Sequence, residues 1–340
     1  MTTINREMWM TIRDDPHKIG ELVNSDNVNA PLDENGTTPL MLCENAEVAK
    51  FLIEIGADFK RSDKSGKTVL SYVNNSSIRE VCYKKIKEKL EKDIPAAFDK
   101  LFIPTDPTER EIRHWTFVSA ISSAKGFEHW WKFELLGHFQ RKGVLPLCNK
   151  DLIVCAEEDL INKCNNKNKE GGNTDLVFVT PDRDPNGEEW YKTNLDLKPK
   201  ILVPIELKHC PINSYKDKSR IISKYFGNES NTVYSDALKI QDIIGCDDFK
   251  VKIKHNEYNE YTHKYDCTFG VLALLVTGLT TTEKQENLKQ EIFNKAKALP
   301  KRVNNLSCVL DKEIQLAGKT NDIWISHAWA HQFVWIIEKS

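Results

Sequence analysis

The chain has 340 residues, of which 40% are hydrophobic and 29% are charged. This length predicts two domains with enough apolar material for real cores, and the composition excludes a disordered or collagen-like chain. The 48 basic and 50 acidic residues give a net charge of −2. Nucleic acid or anionic lipid would therefore have to bind through a local patch rather than through the surface as a whole.

The sequence has no features typical of a secreted or membrane-bound protein. The first residues lack a basic segment followed by an apolar one, and the longest apolar run, Phe269 to Val276, is too short to span a bilayer. The nine cysteines are an odd number, and none forms a Cys-x-x-Cys motif. We therefore expect a cytoplasmic protein with free thiols and without membrane contact.

The N-terminal part of the chain repeats itself at an offset of 30 residues. The segment Asp-Glu-Asn-Gly-Thr-Thr-Pro-Leu at 33–40 returns as Asp-Lys-Ser-Gly-Lys-Thr-Val-Leu at 63–70. Between the copies, an apolar pattern with helical periodicity ends at Gly56, a residue type that favours helix ends. Thr38 is predicted to cap a helix that begins at Pro39.

These segments resemble the ankyrin repeat, whose Gly-x-Thr-Pro-Leu opening and Leu-Ile-x-x-Gly-Ala-Asp ending stand at 36–40 and 52–58. The resemblance implies about two and a half repeats over residues 1–92, forming a short all-α stack. Such stacks usually present a surface to a protein partner. An equally weighted alternative is a docking or capping unit for the rest of the same chain.

A charged segment then leads to a second domain. Residues 84–100 are predicted to be helical, with an interruption at Pro95. Asp106, Pro107 and Glu109 have the pattern of a helix start. The sequence therefore divides into ankyrin repeats at 1–92, a linker at 93–106 and an α/β domain at 107–340.

The second domain interleaves helical and strand patterns, which is typical of an α/β fold. Helices are predicted at 109–124, 127–142, 235–244 and 282–299. Strands are predicted at 174–179, 201–208, 269–277, 307–310, 322–325 and 332–337.

One predicted strand ends in two charged residues. Alternation along the strand puts Glu206 and Lys208 on one face and Leu207 on the other. Burying either charge unpaired costs several kcal/mol, so we expect both at an opening. If the preceding strand pairs with this one, Asp175 and Glu206 could share a cation, and two carboxylates with water and phosphate oxygens suit Mg²⁺.

Asp175 followed by Glu206-x-Lys208 resembles the PD-(D/E)XK nuclease superfamily, which has the restriction-endonuclease-like fold. The family also has an upstream helix with a glutamate, for which Glu128 and Glu134 are both candidates. A helix after the second strand often carries Gln or Lys, which Gln241 and Lys239 match. Asp182 remains an alternative first carboxylate.

The resemblance implies a mixed central sheet flanked by helices and a nuclease that depends on Mg²⁺ or Mn²⁺. Asp175, Glu206 and Glu134 would hold the ion, and Lys208 would orient or deprotonate the attacking water. Glu128 and Gln241 complete the set of implied catalytic residues. The implied substrate is nucleic acid, with DNA favoured over RNA.

Basic and aromatic residues follow the Glu-x-Lys motif and suit contacts with phosphates and bases. The residues predicted to bind nucleic acid are Lys216, Lys218, Arg220, Lys224 and Lys239. The alternative, an exposed loop whose lysines keep it soluble, has equal weight.

The rival hypothesis is a non-catalytic interaction protein with an inactive nuclease-like scaffold. Ankyrin repeats joined to a bacterial-looking nuclease domain, in a chain rich in Lys and Asn, also suggest an effector that a bacterium delivers into a host cell.

Overall fold

The structure of the chain is a computed structural model. The residues it describes are 4–59, 61–73, 75–102, 108, 127–140, 153–162, 173–179, 202–212, 218–228, 231–245, 249–252, 261–263, 269–278, 283–315 and 329–339. They divide into two compact units, the first ending at Leu90 and the second beginning at Glu91. None of the described helices has both the length and the apolar character needed to cross a membrane.

The regular secondary structure among the described residues of the first unit is helical, and turns connect the helices. Its helices are α1 (Arg6–Ile12), α2 (Pro16–Leu22), α3 (Ala46–Glu54), α4 (Val69–Tyr72) and the first part of α5 (Ser76–Phe102). The side chains of Asn5, Asp15 and Asn45 accept hydrogen bonds from backbone N–H groups in the first turns of α1, α2 and α3. The core of this unit includes Trp9 and Leu52.

The two copies of the repeated segment form the same turn. Gly36 and Gly66 have φ angles of 84° and 81°, a region in which residues with a Cβ are strained. Each glycine N–H donates to the carbonyl oxygen three residues earlier, at 3.1 and 3.0 Å. The Lys64 N–H donates to the carbonyl oxygen of Asn35 at 2.8 Å, so the second turn is hydrogen-bonded to the first.

The prediction of a helix that begins at Pro39 is wrong, because residues 39–42 form only a turn. Asn45 already caps α3, which leaves too few residues after Pro39 for a helix and a connection. In the second copy, α4 has four residues, and Thr68 makes no side-chain cap hydrogen bond.

The expected interruption at Pro95 is also wrong, because α5 runs for 27 residues with Pro95 inside it. Proline costs about 3 kcal/mol in a helix interior. Ile94, Ala97 and Phe98 beside it are buried, and burying a large apolar side chain contributes about 1.5–3 kcal/mol. This packing offsets the lost hydrogen bond, and residues 93–102 of the predicted linker continue α5.

The second unit is a mixed sheet with helices, which confirms the predicted α/β class. Its helices are α6 (Phe127–Gln140), α7 (Lys218–Phe226), α8 (Val233–Gly245) and α9 (Glu283–Ala298), followed by a 3-10 turn (Leu299–Lys301). Its strands are β1 (Ile153–Asn162), β2 (Asn173–Val179), β3 (Leu202–Pro211), β4 (Phe249–Lys252), β5 (Tyr261–His263), β6 (Phe269–Gly278), β7 (Leu306–Gln315) and β8 (Trp329–Glu338).

The eight described strands lie in the order β5-β4-β1-β2-β3-β6-β8-β7. Strands β1, β2 and β3 are antiparallel neighbours, whereas β3 and β6 are parallel. A parallel pair requires a crossover connection, and α7 and α8 lie in it. Helix α8 packs closely on the sheet, because a Cβ added at Gly270 of β6 would collide with the side chain of Ile240.

Several predicted elements of this unit are present with small shifts of their ends, namely α6, α8, α9, β2, β3, β6 and β8. Strand β7 is longer than predicted, and β1, β4, β5 and α7 were not predicted. Acidic residues interrupt the apolar pattern of β1, and the basic residues of α7 are equally typical of a solvated loop. The helix predicted at 109–124 and the strand predicted at 322–325 lie outside the described residues.

Candidate functional site

The charged middle segment of β3 faces helix α8. Glu206 and Lys208 are two residues apart and lie on the same face of the strand, whereas Leu207 between them is buried with 1% of its surface exposed. This is the alternation that the sequence predicts. Neighbouring strands hold both sides of β3 in register, as Ile205 lies opposite Leu176 of β2 and Glu206 lies beside Leu272 of β6.

Two ion pairs connect β3 to α8. The Nζ atom of Lys239 lies 2.5 Å from Oε1 of Glu206, and the Nζ atom of Lys208 lies 2.9 Å from Oδ2 of Asp236. On both β3 and α8 the acid comes before the lysine along the chain. The two elements run in opposite directions here, so each acid faces the lysine of the other element. Residues three apart on a helix share a face, which lets α8 make both contacts.

Asp175 joins this arrangement from β2. The last paired residues of β2 and β3 are Leu176 and Ile205, and Asp175 lies one residue beyond them. The Leu207 N–H donates to Oδ2 of Asp175 at 2.8 Å, and the Nζ atom of Lys132 on α6 lies 2.7 Å from Oδ1. The carboxylate is therefore held between the backbone of the Glu-x-Lys segment and a lysine of α6.

Helix α6 brings Lys132 to the sheet because its apolar face is anchored. Trp131, Leu135 and Phe139 are buried, as the helical periodicity predicts. Phe98 of α5 packs edge-on against the rings of Trp131 and Phe139. Its ring centroid lies 5.9 Å from that of Trp131 and 6.4 Å from that of Phe139. This packing fixes the position of α6, and only 5% of the surface of Lys132 is exposed.

Three acids and three lysines thus form one set of ion pairs, which we call the ion-pair cluster. Its members are Lys132, Asp175, Glu206, Lys208, Asp236 and Lys239. Glu206 and Asp236 are 5% and 7% exposed. The expectation that Glu206 lies at an opening is therefore wrong, because its pairing with Lys239 allows it to be buried. Since buried charges are costly unless they are paired, the equal number of acids and lysines is what lets the cluster lie inside the protein.

Burial dominates the electrostatics of the cluster. It raises the pKa of Glu206 to about 8, an effect that Lys239 opposes and that the negative charge of Asp175 reinforces. Burial also raises the pKa of Asp236, against the opposing effect of Lys208. A further positive charge near these groups would stabilise their ionised forms.

Sequence reasoning missed Lys132 and Asp236 as members of this site. Asp236 lies on the buried face of α8 together with Val233, Ala237 and Ile240. Lys132 precedes Leu135 by three residues on the apolar face of α6. A charged residue at an apolar position of a helical pattern is an informative exception, because it requires a partner inside the protein.

Two predicted members are not brought to the cluster. Glu134 and Gln241 each follow a cluster lysine by two residues on a helix, and such residues point about 200° apart around the axis. The Gln241 side chain donates instead to the carbonyl oxygen of Asn304. Glu128 lies one helical turn before Lys132, but its side chain is outside the described residues.

The predicted nucleic-acid contacts separate into two groups. Arg220 and Lys224 are exposed on α7, and the Nζ atom of Lys224 lies 5.2 Å from the ring centroid of Tyr225. Lys239 belongs to the ion-pair cluster instead. Lys216 and the side chain of Lys218 lie outside the described residues.

The carboxylates of Asp175 and Glu206 are the candidate ligands for a divalent ion. Asp175 and Glu206 are two carboxylates on adjacent strands, which fits Mg²⁺, an ion that proteins usually hold by one or two carboxylates together with water and phosphate oxygens. Within the described part of the chain, no group of three or more His, Cys, Asp or Glu side chains is arranged to hold a metal. The chemistry of these two carboxylates suits an ion whose other ligands would be water and substrate oxygens, and each carboxylate faces a lysine in this structure.

Comparisons of the chain with protein-family models, curated proteins and solved structures found no match.

Proposed function

We propose that the protein is a metal-dependent nuclease that hydrolyses phosphodiester bonds of DNA, with RNA as the second substrate class. The observation that carries the proposal is the hydrogen bond from the Leu207 N–H to Oδ2 of Asp175. It puts the Asp175 carboxylate of β2 beside the segment of β3 that carries Glu206 and Lys208, so two potential ion ligands and an ammonium group lie on adjacent strands.

The order of elements in the second unit supports the proposal. Helix α6 precedes β1, β2 and β3, Asp175 lies on β2, the Glu-x-Lys motif lies on β3, and α8 with Lys239 and Gln241 follows. This is the order implied by the resemblance to the PD-(D/E)XK superfamily. Topology alone does not define an activity, so the charged groups are the main support for a nuclease function.

In this proposal Asp175 and Glu206 hold the ion. Bound Mg²⁺ supplies Lewis-acid polarisation of the phosphate and a more acidic water. The Lys208 ammonium stabilises negative charge that develops on the phosphate oxygens and orients the attacking water. Asp236 holds Lys208 in place through the 2.9 Å contact, which makes it a positioning residue.

We assign the substrate contact to α7, whose exposed face includes Arg220 and Lys224. Such side chains bind phosphates regardless of sequence, so binding should weaken as salt increases. We also propose that the first unit is an ankyrin-like docking unit for a protein partner. Support for this comes from its two equivalent turns and from the hydrogen bond between Lys64 and Asn35 that joins them.

A second candidate is a non-catalytic interaction protein, including an effector that acts in a host cell. The observation that favours it is that each acid of the ion-pair cluster already has a lysine partner, so the cluster is neutral when all six groups are charged. A scaffold that never binds an ion would show the same pairing.

A cleavage assay distinguishes the two candidates. The full chain is incubated with plasmid, single-stranded DNA and RNA, each with Mg²⁺, Mn²⁺ or EDTA. If the protein is a nuclease, cleavage should depend on the ion and should be lost in Asp175→Asn, Glu206→Gln and Lys208→Ala. The exposed control variants Glu338→Gln and Lys301→Ala should still cleave. Nucleic-acid binding without cleavage under all these conditions would support the second candidate.

A further inference from the structure

Two lysines of the ion-pair cluster contact the carboxylates that the proposed function assigns to a divalent ion. Lys239 lies 2.5 Å from Oε1 of Glu206, and Lys132 lies 2.7 Å from Oδ1 of Asp175. Their side chains are 23% and 7% exposed, so both ammonium groups are largely removed from water.

Oxygen atoms of both carboxylates already have partners within the protein. Oδ2 of Asp175 accepts from the Leu207 N–H and Oδ1 is paired with Lys132, so each oxygen of this carboxylate has at least one partner. Oε1 of Glu206 is paired with Lys239. A cation that binds both carboxylates would therefore approach oxygens that already face an ammonium group, and like charges at such distances repel strongly when water is excluded.

We propose that Lys132 and Lys239 are resident counter-ions, which balance Asp175 and Glu206 in the ion-free protein and compete with a divalent ion for them. This inference rests on the proposed function, because it takes the same two carboxylates as the ion's ligands. The lysines come from α6 and α8, while the carboxylates come from β2 and β3. Displacing the ammonium groups frees the oxygens without any change in the strands.

The proposal has two measurable consequences with opposite signs. Without a divalent ion, removing one lysine leaves a buried carboxylate uncompensated, so the protein becomes less stable. With a divalent ion, the same substitution removes a competing charge, so binding becomes tighter. A lysine that served only to position its carboxylate for the ion would weaken binding when removed, which is the opposite result.

The experiment measures Mn²⁺ binding to the full chain by isothermal titration calorimetry, together with the melting temperature with and without MnCl₂. The variants are Lys239→Met and Lys132→Met, which keep most of the side-chain volume. Lys239→Arg keeps the charge and is the matched control, and the exposed Lys301→Met controls for a lost surface lysine. We expect Mn²⁺ to bind each methionine variant about tenfold more tightly or better, and the controls to bind within about threefold of wild type.

The possible results separate the inference from the proposed function. If wild type binds Mn²⁺ and the methionine variants bind it equally or more weakly, the counter-ion proposal is overturned while the nuclease proposal stands. If neither wild type nor any variant binds, both are overturned. If a methionine variant is unfolded without metal, recovery of a cooperative melting transition on adding MnCl₂ supports the inference, and failure to recover counts against it.

Discussion

The backbone N–H of Leu207 and the side chain of Asp175 are joined by a hydrogen bond of 2.8 Å, although 32 residues separate them in the chain. This bond lies just beyond the last paired residues of β2 and β3. It connects the two strands where their ladder ends, and it brings the Asp175 carboxylate next to the Glu-x-Lys segment.

The Lys132–Asp175 pair should be strongly coupled. Because both groups are largely buried, Lys132→Met or Asp175→Asn alone should reduce the free energy of unfolding by about 3 kcal/mol, since each change breaks a buried pair. The double variant should be more stable than either single variant, because no unpaired charge remains. Urea denaturation of the four proteins measures this coupling.

A surface pair provides the control for that cycle. Lys85 and Glu88 are 2.7 Å apart but 41% and 45% exposed, and exposed pairs contribute only about 0–1 kcal/mol. Equal coupling energies for the two pairs would contradict the assignment of Lys132 and Asp175 to a buried cluster.

The close approach of α8 to the sheet predicts a severe effect at Gly270. In Gly270→Ala the new methyl group collides with Ile240, so α8 must move away from β6, and overpacking of this kind costs about 1–3 kcal/mol. The same movement would pull Asp236 and Lys239 from their partners on β3. The melting temperature and the proposed nuclease activity should both be reduced.

Two further glycine variants test that explanation. Gly137→Ala on α6, where an added Cβ meets nothing within 4 Å, should be neutral or stabilise by up to about 1 kcal/mol. Adding Ile240→Ala to Gly270→Ala should restore part of the activity. If it restores none, the collision is not the cause.

The repeated turns of the first unit should be equally sensitive to a Cβ. Gly36→Ala and Gly66→Ala should each destabilise the protein by about 1–2 kcal/mol, because both glycines have positive φ. Space is not the cause at Gly36, where the nearest atoms to an added Cβ are 3.9 Å away. Chemical denaturation followed by hydrogen exchange of peptides from residues 4–59 reports on this unit, and a cost at only one position would show that the turns are not equivalent.

Acid should destabilise the second unit through His209. Burial lowers the pKa of this histidine to about 3 from its ordinary value of 6.5. The unfolded chain binds the proton below pH 6.5, whereas the folded protein does not until about pH 3. The stability contributed by the neutral ring is therefore complete above pH 6.5 and is lost as the pH falls through this window, at up to about 1.4 kcal/mol per pH unit.

The variant His209→Gln tests this assignment, because glutamine does not titrate and can still hydrogen-bond to Thr277, which lies 2.8 Å from His209 Nε2. Its unfolding free energy should fall less steeply than that of wild type between pH 6.5 and 4. The exposed His17→Gln is the matched control. Parallel pH profiles for wild type and His209→Gln would contradict the assignment.

Local periodicity accounts for the parts of the site that could be predicted. The alternation of a strand puts Glu206 and Lys208 on one face, and the pairing of neighbouring strands puts Asp175 beside them. The helical pattern likewise predicts the buried face of α6. These features depend on residues close together in the sequence, or on strands that follow one another along the chain.

Tertiary packing decides the rest. Lys132 is a cluster member and Glu134 is not, and the difference comes from which side of α6 packs against the sheet. Pro95 remains inside α5 because buried neighbours outweigh a local preference. Asp236 could have been noticed as an acid on an apolar helical face, but its partner, Lys208, became evident only from the structure.

The most direct test of the proposed function compares the rates at which wild type and Glu206→Gln cleave the same DNA at saturating Mn²⁺. Glutamine keeps the size of the side chain but removes the charge that would hold the ion. We predict a reduction of at least about 100-fold, with the Glu338→Gln control at the wild-type rate. Cleavage by Glu206→Gln at the wild-type rate, or no cleavage of any nucleic acid by wild type, would contradict the proposal.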